Sequence, residues 1–66
     1  MNKMYLKRIK EDGSIPFRCK NKRIKSVMVL DKLKQINFTL YPYHTNDAII
    51  VDKEYADMDA CIFVEY

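Results

Sequence analysis

The 66 residues of this chain suffice for one domain, residues 1–66, with one thin core. A chain near 60 residues buries only about 60% of the surface that its unfolded form exposes, so a homodimer is left open as a way to add buried area. With 48% hydrophobic and 32% charged residues, the composition excludes a wholly disordered chain. Residues 1–34 carry eleven Lys/Arg against three acids, a net +8. Residues 35–66 carry one Lys against six acids, a net −5. Such asymmetry points to a polyanion partner or to a surface that complements itself.

The first residues carry positive charge with no apolar run behind them, so no signal peptide is expected. The longest uncharged stretch, Gln35 to Asn46, is too short and polar to span a bilayer. The expectation is a cytoplasmic protein with no membrane partner.

Ile, Val, Thr, Tyr and Phe total 21 residues, against 7 for Ala and Leu. That excess favours strands. Tyr5–Lys10 and Ile15–Lys20 flank Glu11-Asp12-Gly13-Ser14, and Asp-Gly between two such runs predicts a hairpin with a type I′ turn. Its register is open between Leu6 opposite Cys19 and Ile9 opposite Phe17. Pro16 has no N–H to donate, which places this strand at an edge or breaks it.

Ser26 to Leu30 is a short β-branched run that suits a buried strand, with a helix through Leu30 and Leu33 as the alternative. Ile36, Phe38 and Leu40 alternate with polar residues and predict a half-buried strand that Pro42 ends. His44 to Asp47 supply turn residues, and Ala48–Val51 is a further strand. Asp52 is placed to cap one helical turn over Lys53 to Met58. Cys61–Val64 is the last strand.

The expected fold is mainly β: a single small antiparallel sheet or a five-stranded barrel-like domain, with at most one short helical turn. The predicted core is Leu6, Ile15, Phe17, Val27, Val29, Ile36, Phe38, Leu40, Ile49, Val51, Ile62 and Val64. Cys19 and Cys61 are expected to be unpaired thiols facing the interior.

No catalytic residue is assigned. His44 is the one histidine, and no local spacing links it to either cysteine or to Ser14 or Ser26. Two distant cysteines and His44 do not form a zinc ligand set, and Asp57 with Asp59 reads as a solvated acidic turn rather than a cation site. No metal or cofactor is expected, and the chain is read as a non-enzyme.

The densest cationic stretch is Phe17 to Lys25. Arg18, Lys20, Lys22, Arg23 and Lys25 are candidates for phosphate contact, and Phe17 for stacking on a base. An edge strand kept soluble by its cations is the competing explanation. A second cluster, Tyr41, Tyr43 and His44 with Tyr55 in the acidic stretch, suits a protein interface. The first expectation is therefore a non-catalytic module contacting nucleic acid or another polyanion. The alternative is a protein-binding regulator or inhibitor. A short, compact chain with many Lys, Ile, Asn and Tyr is reminiscent, in composition alone, of viral or plasmid accessory proteins, which specifies no activity.

Overall fold

A computed structural model describes all of residues 1–66. The chain is mainly β, with seven strands in two antiparallel sheets. The strands are β1 (Asn2–Arg8), β2 (Ser14–Pro16), β3 (Arg23–Asp31), β4 (Ile36–Leu40), β5 (Tyr43–His44), β6 (Ala48–Ile50) and β7 (Asp59–Glu65). A single 3-10 turn over Lys53–Tyr55 is the sole helical element, and Asp52 Oδ1 caps it by accepting from the Glu54 amide at 3.1 Å. The larger sheet has the order β1-β7-β3-β4, and the smaller one β2-β6-β5.

The two sheets enclose one apolar cluster. Val27, Val29, Ala60, Ile62 and Val64 come from the larger sheet. Ile15, Phe17, Cys19, Ile49 and Val51 come from the smaller sheet and the chain that continues it, and Ile9 lies at the crossing between the two. Tyr5 meets Phe17 edge to face across the core, with ring centroids 5.1 Å apart. Alternation fixes this arrangement: residues 60, 62 and 64 of β7 share one face, and their neighbours on β3 and β1 follow by register.

The predicted hairpin of the first two runs does not form. Lys10 N donates to Ser14 O at 2.8 Å, so a turn closes there, but β1 pairs with β7 and β2 with β6. Neither predicted register occurs, and Leu6 lies opposite Cys61. Only Gly13 has positive φ in this turn (84°), whereas type I′ needs two such residues. Pro16 sits on an edge strand, where its missing N–H is harmless.

The alternative helix through Leu30 and Leu33 is absent. Leu30 lies in β3, and Leu33 stands 94% exposed in the turn that follows. That turn is held by Asp31, whose buried carboxylate accepts from the Lys34 amide at 3.2 Å, and by Gln35 at φ 56°.

Two predicted core residues are exposed: Leu6 at 63% and Ile36 at 49%. Leu6 belongs to the opposite face of β1 from Tyr5, and Ile36 starts an edge strand. Phe38 and Leu40 are half-buried, while Ile9 and Ala60, not predicted, are fully buried. Both cysteines are buried, unpaired thiols. Cys19 belongs to the core cluster, but Cys61 alternates with Ile62 and faces outward, covered by its neighbours on the sheet.

Candidate functional site

The cationic stretch is not a regular strand. After Pro16 the chain stays extended beside the β5–β6 turn, with Phe17 N donating to Asp47 O (3.1 Å) and Cys19 N to Asn46 O (2.8 Å). Phe17 and Cys19 point inward, so Arg18 and Lys20 both stand exposed on the outer side. Lys22 N then donates to Cys19 O at 3.0 Å and closes a turn through Asn21 at φ 62°. Asparagine is among the side chains that tolerate this left-handed region.

Lys22 folds back on this turn. Its Nζ donates to Arg18 O at 2.8 Å and lies 5.1 Å from the centroid of the Phe17 ring. Lys22 thus braces the loop as well as charging it. Phe17 is 8% exposed and committed to the core, so it is closed to a base. Burial pushes the Cys19 thiol up from its ordinary value, and its Sγ donates to Phe17 O at 3.4 Å.

β3 begins directly after the turn. Arg23 pairs with Glu65, and the register shifts between Ile24 and Ser26, leaving Lys25 in a bulge. Bulges re-aim side chains. Lys25 lines a shallow groove of about 350 Å³ together with Lys3, a cation that sequence reasoning did not assign. Lys3 Nζ also lies 5.5 Å from the centroid of the Tyr66 ring, and the Tyr66 hydroxyl is hydrogen-bonded to that of Tyr5. This bond holds the Tyr66 phenol above its ordinary value.

The starts of β1 and β3 and the end of β7 meet at this end of the larger sheet. It therefore gathers Lys3, Arg23 and Lys25, with the turn bearing Lys20 and Lys22 leading into it. The structure contains two ion pairs, and both lie at the opposite end of that sheet. There Asp59 meets Lys32 at 2.8 Å and Arg8 at 3.7 Å. Arg18, Lys20, Lys22, Arg23 and Lys25 are in no ion pair. The Lys32 ammonium, with Arg8 adding to it, holds the Asp59 carboxyl below its ordinary value.

The tyrosines also converge. Tyr41 and Tyr55 line one open groove of about 370 Å³ with Asp52 and Glu54 on its wall. Tyr43 is paired with Ile50, another residue of that groove. Tyr41 and Tyr43 are largely exposed, while Tyr55 packs against Phe38 at 5.2 Å between centroids. The Glu54 side chain, with burial second, holds the Tyr55 phenol above its ordinary value. His44 is exposed, with Nδ1 3.2 Å from the Thr45 carbonyl oxygen, and is not part of the groove.

No group of three or more His, Cys, Asp or Glu residues is placed to hold a metal, and no helix is long and apolar enough to cross a membrane. No protein-family model, curated protein or solved structure matches the chain.

Proposed function

We propose that this protein is a non-catalytic module that binds nucleic acid through the phosphate backbone, using the turn of Arg18, Lys20 and Lys22 and the start of β3 at Arg23 and Lys25. One observation carries the reading: these five cations are in no ion pair, while Asp59, the one ion-paired acid, binds Arg8 and Lys32 at the opposite end of the larger sheet. Cations clustered on one surface repel one another unless an anion offsets them. With Phe17 buried, the recognition rests on charge and not on stacking, so little sequence preference is expected.

The test is binding of single- and double-stranded DNA and RNA across a salt series. Arg18→Glu with Lys20→Glu should weaken binding uniformly across sequences, and the salt slope should flatten by about one for each phosphate that is no longer neutralised. Absence of binding to every nucleic acid at low salt would reject the reading. The groove of Tyr41 and Tyr55 favours a second one, in which Asp52 and Glu54 dock a basic segment of another protein. Binding there would be abolished in Tyr41→Ala and would be less sensitive to salt if the aromatic side chain dominates.

A further inference from the structure

The larger sheet is covered by the smaller one on a single face, yet its two central strands are apolar on both. In β3 the run Val27-Met28-Val29-Leu30 has no polar alternation, nor has Cys61-Ile62-Phe63-Val64 in β7. Strands of this kind belong to sheets covered on both sides. The register shows what the open face presents. Its middle row is Leu6, Cys61, Met28 and Thr39, and the row toward the end of β1 is Arg8, Asp59, Leu30 and Asn37, where Asp59 is ion-paired with Arg8 and Lys32. The next row toward the start of β1 is Met4, Phe63 and Ser26, and the row beyond that is Asn2, Glu65 and Arg23. Met4 is 60% exposed, although it borders this apolar surface.

We propose that this face is a homodimer interface, in which two copies pack sheet on sheet about a twofold axis that runs along the strands between β7 and β3. A twofold interface must complement itself, and this one does so in the three rows from Glu65 to Cys61, with the ion-paired Asp59 row at its rim. The axis lays β7 of one copy over β3 of its partner. Glu65 then faces the partner's Arg23, and Arg23 the partner's Glu65. Phe63 faces the partner's Ser26, beside the groove of about 350 Å³ that Met4, Ser26 and Phe63 line with Lys3 and Lys25. Cys61 faces the partner's Met28.

Aligned sheets pack about 10 Å apart with their strands within about 30° of each other, which suits an axis along the strands. Strands at about 4.8 Å spacing and residues at about 3.3 Å, with β4 five residues long, give two copies about 800 Å² of flat sheet area, which places the pair at the small, weak end of specific interfaces. Dimerisation through this face takes Arg23 for the partner's Glu65 and leaves Arg18, Lys20, Lys22 and Lys25 to nucleic acid, and the same axis brings the basic ends of both copies to one side of the pair.

Sedimentation equilibrium of the whole chain tests it. The expected result is a dimer at micromolar concentration. Met28→Lys should give a monomer with an unchanged β-type circular dichroism spectrum. A wild-type monomer up to millimolar concentration would overturn the proposal, and so would a Met28→Lys dimer. Arg23→Glu and Glu65→Arg each place like charges across the axis and should each weaken the dimer at least about tenfold. Mixed together, these two variants should recover the wild-type affinity as a heterodimer, since each then meets its opposite charge. Failure of the mixture to pair would exclude this axis, and the measurement stands even if Met28→Lys does not fold.

Discussion

At Gly13 the backbone has φ +84°, and a Cβ built there would lie 2.6 Å from the Val51 carbonyl oxygen and 2.7 Å from the Lys53 amide nitrogen. Both are main-chain atoms that cannot swing aside. Gly13→Ala should therefore cost about 1–3 kcal/mol through backbone strain alone, with the close approach to Val51 adding to it. A urea melt with an unchanged midpoint would contradict this. Asp59 gives a second residue-level expectation. Lys32, and then Arg8, hold its folded carboxyl below the unfolded value. The contribution is thus fully present above the unfolded carboxylate value and is lost as pH falls through the folded one. Between pH 7 and the acid range, Asp59→Asn should flatten the fall in stability on acidification. A variant with the wild-type pH profile would show that the pair contributes nothing.

The elements divide into those that sequence pattern defines and those that only pairing partners define. The run around Val27 and Val29, the alternation at Ile36, Phe38 and Leu40, and the cap at Asp52 were legible because each is local. The partner of β1 was not, because the Asp-Gly signal specifies a turn while the choice of β7 over β2 depends on residues more than fifty positions away. The same gap hid the open face: Met4, Leu6, Met28 and Phe63 become neighbours only through register. Of the cationic site, the residues were legible and their ion-pairing state was not. Position within the sheet also reorders the expected stabilities. Ile62 is fully buried on a central strand, whereas Phe38 is half-buried on the edge strand β4. Ile62→Ala should cost about 2–5 kcal/mol, and Phe38→Ala about half of the 3–5 kcal/mol typical of a buried ring. Chemical denaturation that ranks Phe38→Ala as the more harmful would contradict the strand order.

For the molecule as a whole, the two ends of the larger sheet differ in how their charges are paired. The starts of β1 and β3 carry unpaired cations, whereas at the opposite end Asp59 of β7 pairs with Arg8 and Lys32. The edge strand β1 is also guarded. Its register places Lys3 and Lys7 on the same face as Tyr5, on the side that covers the core. Cations at such positions oppose the addition of a foreign strand.

The position of β7 has a bearing on synthesis. It follows both of its neighbours in sequence and is the second strand in the sheet, with β1 on one side and β3 on the other. While a growing chain is translated, the β3–β4 hairpin can form early, but β1 has no partner until residues 59–65 emerge. Val27, Val29 and the outward Met28 remain uncovered along one edge for that interval, and transiently unpaired edges of this kind are where nascent chains aggregate. The sheet closes when β7 enters between β1 and the β3–β4 hairpin, so cooperative folding of this sheet waits on residues 59–65.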